Sequence, residues 1–233
     1  MQKELLIALI SDNNINNISK ALGILENLKD ADTIVIDNGS SYNLIDEIED
    51  YKSTKCILVE TQMGYGECFF AAYNFAKDMD YKYLITIDSK SNDIIKEIEA
   101  IKENLKYGYD FVTCSRILEN YDYTKVDTAA TEITETLCNS LNEACEFNLT
   151  DPLSPNKGFI IESLSQMELT ETSHGIFLQI FIQGAYFGYN SIEIPSHSGL
   201  ILGEELIEYD NPVEKFLSII ETEKFLYNKG TIN

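Results

Sequence analysis

Several apolar runs in this sequence stop at residues that could do chemistry. "LITIDSKSND" at 84–93 turns polar at Asp88, "TIVIDNGS" at 33–40 at Asp37 and Asn38, and "LLIALISDNN" at 5–14 at Ser11, with Asn13 close behind. "DFVTCSR" at 110–116 ends on Arg116, the single arginine among 17 basic residues. An aspartate at the end of a buried strand is a common holder of a phosphate-bound metal, and hard divalent cations want several oxygens. Two places after Asp88, however, stands Lys90 rather than a second carboxylate. Its ammonium would weaken a metal there and could itself neutralise a diphosphate, leaving Asp93 as the next carboxylate able to act as a second ligand. Asp37 could accept from a nucleobase or ribose, although Asp-Asn-Gly is also ordinary turn chemistry. "MGYGE" at 63–67 places Gly64 and Gly66 at a helix start, where free N–H groups could face an anion. It has neither the GxGxxG of a dinucleotide fingerprint nor the GK[ST] of a P-loop. His174 and His197 are isolated, and no GxSxG or Cys/His arrangement supports covalent catalysis.

The elements that must position these residues follow from periodicity. Continuous apolar runs at 5–10, 33–37, 55–60, 83–88 and 110–115 read as strands buried on both faces. Stretches with helical spacing at 15–29, 42–51, 66–79 and 93–106 alternate with them. The alternation predicts an α/β fold whose sheet is mainly parallel, with ligands beyond the carboxyl ends of the strands. After residue 117 the rhythm changes: a helix is expected over 127–146, a turn-rich "DPLSPNKG" at 151–158, and a strand at 159–163. A helix over 173–187, a strand over 189–195 and a helix over 211–228 complete the chain. The segment 196–210 carries no clear period and is expected to be the mobile element.

With 233 residues, 44 % of them hydrophobic, the chain is long enough to bury a sizeable core. The formal net charge of -22 opposes binding to nucleic acid or to anionic lipid, since both are polyanions. Cys56, Cys68, Cys114, Cys138 and Cys145 have no CxxC spacing and read as buried, reduced thiols of a cytoplasmic protein. "LLIALI" is too short for a signal peptide, and no segment reaches the roughly 20 apolar residues needed to span a bilayer.

In order and spacing these stretches resemble the family-2 glycosyltransferases of the GT-A fold, most closely the dolichol-phosphate mannose synthase type of polyprenol-phosphate sugar synthase. "ISDNNINNI" at 10–18 is similar to the family's PTYNExxNI, "DNGS" at 37–40 to its DDGS, and "QMGYGEC" at 62–68 to its NxGxGxA. "DSKSNDI" at 88–94 stands for DADxxxP, "CSR" at 114–116 for GSR, "DPLSPNKGF" at 151–159 for DPTSGFR, and "GYNSIEIP" at 188–195 for GYxxxEVP. The resemblance implies one domain, with 1–116 as the nucleotide-sugar-binding half and 117–233 as the acceptor half. It places Ser11, Asn13, Asp37, Asn38, Gly64 and Gly66 around the nucleotide. Asp88, Lys90 and Arg116 would carry catalysis, and Asp151 and Lys157 would lie toward donor sugar and acceptor. Family enzymes invert the anomeric carbon and use Mg²⁺ or Mn²⁺, which here would fall to Asp88 and Asp93 against the charge of Lys90. The expected partners are a nucleotide sugar and a polyprenyl phosphate or other membrane-linked acceptor, reached through a partner membrane protein. The alternative is a glycosyltransferase-like binding or regulatory module that has lost its metal site.

Overall fold

In the computed structural model the described residues are 4–10, 14–38, 40, 44–48, 51, 54–59, 63–118, 128–206 and 209–227. Ser11 and Asn13 therefore lie outside them. The elements run β1 (Leu5–Ile10), α1 (Ile15–Leu25), β2 (Ala31–Asn38), α2 (Leu44–Ile48), β3 (Thr54–Val59), α3 (Tyr65–Asp78), β4 (Tyr83–Asp88), α4 (Ile94–Tyr107) and β5 (Phe111–Ser115). The second half adds α5 (Thr128–Cys145), β6 (Lys157–Ile160), α6 (Ile161–Leu164), α7 (Ile176–Phe187), β7 (Ser191–Pro195), a 3-10 turn (Glu204–Leu206) and α8 (Pro212–Leu226). The strands form one seven-stranded sheet in the order β3-β2-β1-β4-β6-β5-β7. Every pairing is parallel except those of β6, which runs antiparallel between β4 and β5.

The continuous apolar runs have the expected cause, since helices cover both faces of the sheet. Leu6 and Ala8 of β1 point into a core shared with α3, α5, α7 and α8. Leu5, Ile7 and Leu9 point into the opposite core with α1, α2 and α4. Each such Leu or Ile contributes roughly 1.5–3 kcal/mol on burial, so neither face can be left uncovered. Local signals set the helix ends. Asn14 caps α1 by accepting from the Asn17 N–H, Asn211 caps α8 before Pro212 by accepting from Glu214, and Gly108 ends α4 at φ 115°.

One expectation needs correction. The strand expected over 159–163 is instead β6 at 157–160, followed at once by the single-turn α6. Lys157 and Gly158 carry little strand signal. They are strand because they fill the gap between β4 and β5, and a Cβ on Gly158 would come within 2.1 Å of Ile101. Where it is described, the segment 196–210 makes specific contacts with the rest of the fold. Asn92 N–H donates to the Ser198 carbonyl, Ser196 N–H donates to the Ser115 carbonyl, and Leu202 and Leu206 are buried.

Candidate functional site

Strand register brings the chemistry-bearing residues to one edge. Ile10 of β1 pairs with Ile36 of β2 on one side and with Asp88 of β4 on the other, so Asp37 and Asp88 flank the end of β1. Gly64 follows β3, and Arg116 follows β5, at the same carboxyl edge. Asp37 is buried and accepts from the Ser40 N–H at 3.0 Å. Asn38 is engaged within the protein: its amide donates to the Met63 carbonyl at 2.9 Å and accepts from the Met63 N–H at 2.7 Å. That pair fixes the entry to α3.

Gly64 and Gly66 serve another end than facing an anion. The Gly64 N–H donates to Glu67 and the Gly66 N–H donates to the Thr172 carbonyl, both at 2.9 Å. A Cβ would lie 2.1 Å from the Thr172 oxygen at Gly64 and 2.4 Å from the Glu171 oxygen at Gly66. The glycines are needed because the backbone of 171–173 lies directly on the helix start. Sequence spacing could show the glycines but not what approaches them.

Around Asp88 the turn folds back on itself. Its carboxylate accepts from the Lys90 N–H at 2.8 Å, and the Lys90 ammonium stands 3.8 Å away. The Asp88 N–H donates to Asn156, whose amide donates in turn to Ser91 and to the buried carboxylate of Glu97. Glu97 also accepts from the Ser196 hydroxyl and the His197 N–H, tying the turn to the segment after β7. Asp93, exposed at the start of α4, makes no side-chain capping bond. The ammonium beside Asp88 disfavours a hard divalent ion at this carboxylate. The one carboxylate on the strand end already pairs with an ammonium, and among the described residues no group of three His, Cys, Asp or Glu could hold a metal.

Arg116 is enclosed. Nε and Nη2 donate to Asp151 at 2.7 and 2.8 Å, Nη1 and Nη2 donate to Glu205 at 3.0 and 2.7 Å, and Nη1 donates to the Ile201 carbonyl at 3.0 Å. All five N–H donors of the guanidinium are taken, so Arg116 offers none to a ligand and serves as a tie between 151, 201 and 205. Burial works against the Asp151 charge, but the guanidinium outweighs it and holds the carboxyl below its ordinary range. Asp151 is likewise fully buried and committed to Arg116. Lys157 is buried beneath Phe177 and Phe181, with its ammonium 4.6 and 5.4 Å from the ring centres and donating to Thr113 at 3.3 Å. Burial pushes that ammonium down to about 7, against the pull of Asp151 and Glu193. The position of 151–157 beside β5 agrees with the expected order, while the direct ligand contacts expected of Asp151 and Lys157 do not follow from this burial.

Sequence reasoning passed over Asn156, Glu97, Glu205 and the pair Tyr65–His174, whose rings stack at 4.3 Å. Burial, and then the charge of Arg116, pushes His174 down to about 4, which keeps it neutral at pH 7. Burial and the nearby charge of Asp88 raise the Tyr65 phenol. Glu97 had a readable signal, since it interrupts the apolar stripe of Ile94, Ile98, Ile101 and Leu105. Glu205 had none.

Strand order, two covered faces and a carboxyl edge carrying Asp37 and Asp88 define a Rossmann-like fold of the GT-A glycosyltransferase type. Among solved structures, the chain is similar to glucosyl-3-phosphoglycerate synthase from Mycobacterium tuberculosis in complex with Mn²⁺, UDP and glucosyl-3-phosphoglycerate. The TM-score is 0.67 at 14 % identity, covering 98 % of this chain and 82 % of that one. The complex of that enzyme with Mn²⁺, UDP-glucose and phosphoglyceric acid gives 0.65 at 13 % identity, with the same coverage. No protein-family model matches the sequence, and no curated protein matches it significantly. At these identities the likeness establishes the fold, and the closer resemblance to polyprenol-phosphate sugar synthases rests on motif order alone.

Proposed function

We propose that the chain is a glycosyltransferase that binds a nucleotide sugar across the ends of β1, β2 and β4 and passes the sugar to a phosphate-bearing acceptor. The observation that supports this reading is the pair Asp37 and Asp88 on either side of β1, with the Lys90 ammonium beside Asp88. Asp37 would accept from the base or ribose. Lys90 would turn from Asp88 to the diphosphate, whose leaving-group charge it offsets by about 4 kcal/mol per unit charge at about 4 Å and an effective dielectric near 20. No step is assigned to a metal. Phosphate is the chemistry shared by a polyprenyl phosphate, which motif order suggests, and by the phosphoglyceric acid bound to the similar solved enzyme. Such an acceptor is already anionic and needs no general base. A membrane-linked acceptor would have to be met through an apolar patch or a partner protein, given the net charge of -22.

The test is calorimetric titration with nucleotide sugars, beginning with UDP-glucose, in EDTA and in Mn²⁺. Wild type is expected to bind alike in both. Lys90→Asp should lose at least tenfold in EDTA and regain affinity with Mn²⁺. Wild-type binding that requires Mn²⁺ would overturn the lysine reading. Absence of binding under every condition would favour the second reading, a regulatory or partner module, for which the closure of Arg116 by two carboxylates already speaks.

A further inference from the structure

A cleft of about 370 Å³ opens where the last turns of α5, α7 and α8 converge. Because α7 leads directly into the start of β7, it lies at the amino edge of the sheet, opposite Asp37 and Asp88. Its walls include Glu143, Glu146, Phe147, Tyr186, Tyr227 and Lys224. The Tyr186 and Tyr227 rings meet edge to face at 5.3 Å. We propose that this cleft binds a small organic cation, an alkylammonium compound, seated between the aromatic faces and the two glutamates.

Three features lead there independently of the nucleotide-sugar reading. The cleft gathers three helix C-termini, whose partial negative charge favours a cation, yet neither α5 nor α7 carries a basic residue in its last turn. Glu143 and Glu146 stand at the end of α5 instead, where the dipole disfavours them. Glu146 is also in the left-handed region at φ 60°, as is Asn148 at φ 56°, on either side of Phe147. Glycine ordinarily takes the place directly after a helix, and a glutamate there is strained. Tyrosine and phenylalanine faces attract ammonium groups, and the cleft volume suits a small molecule. Lys224 stands 3.8 Å from Glu143 and is the internal cation a ligand must displace.

Spermidine is the probe, titrated at physiological salt by calorimetry with tyrosine fluorescence as a second signal. One site per chain is expected. Glu146→Gln and Tyr227→Leu should each weaken it at least fivefold, and Lys224→Met should tighten it. Glu146→Gly separates ligand from fold: it should lose the same affinity while its melting temperature rises, because glycine relieves the left-handed strain. Affinity unchanged in Glu146→Gln overturns the proposal. So does binding at many sites that follows ionic strength alone, which would be the general pull of an acidic surface.

Discussion

Lys157 shows how much a single side chain can differ from what its motif suggests. Its segment "DPLSPNKG" reads as a loop that lends a cation to a ligand, whereas the residue is 1 % exposed and its ammonium lies over two phenylalanine rings. Its folded-state value of about 7 is below the ordinary 10.5, with burial as the first cause. The unfolded chain therefore holds a proton that the folded chain has released between those values. The contribution of Lys157 to stability therefore rises as pH climbs through that window and is least below it, while the raised thiols of Cys114, Cys138 and Cys145 act in the opposite sense. From pH 7 to 9 the gain is on the order of 2 kcal/mol. Urea denaturation of wild type and Lys157→Met at several pH values checks this, and the difference between the two should grow in favour of wild type from pH 7 to 9. The charged residues were legible as types, but their commitments were not. Arg116 stood out as the single arginine, and nothing near it in sequence announces Glu205, 89 residues on, as its partner.

At the scale of elements, the start of α3 shows what glycine spacing means here. "MGYGE" suggests open N–H groups, and the structure lays the backbone of 171–173 across them. Gly66→Ala would press a methyl to 2.4 Å from the Glu171 carbonyl, and backbone cannot yield as a flexible side chain does. A loss of about 2–3 kcal/mol is expected. Gly23, inside α1 with nothing within 4 Å of a new Cβ, is the contrasting position, and Gly23→Ala should gain about 0.5–1 kcal/mol. Equal effects in chemical denaturation would overturn the docking argument. Parallel strands and their helices were legible because each carries its own apolar period. β6 was misplaced because its pairing is entirely non-local, with partners at 83–86 and 111–113.

For the whole molecule, the continuous apolar runs predicted a core on each face of the sheet, and composition predicted a strongly acidic protein. The first is seen in the two cores on either side of the sheet. The second carries a cost, since a net charge of -22 makes the compact state repel itself. Raising NaCl from about 10 mM to about 150 mM shortens the screening length from about 30 Å to about 8 Å. The melting temperature should rise over that range, and a flat or falling curve would show that local ion pairs outweigh the net field. Among the described residues no helix is long and apolar enough to cross a membrane. The reversed strand β6 also sets a timetable for synthesis. β4 ends at residue 88 and waits for β6, which ends at residue 160, before its second edge is paired. At about 5–20 residues per second the ribosome takes roughly 4–14 s to cover that interval. During it the edge of β4 that β6 will cover has no partner, the kind of open strand border at which a growing chain can pair wrongly.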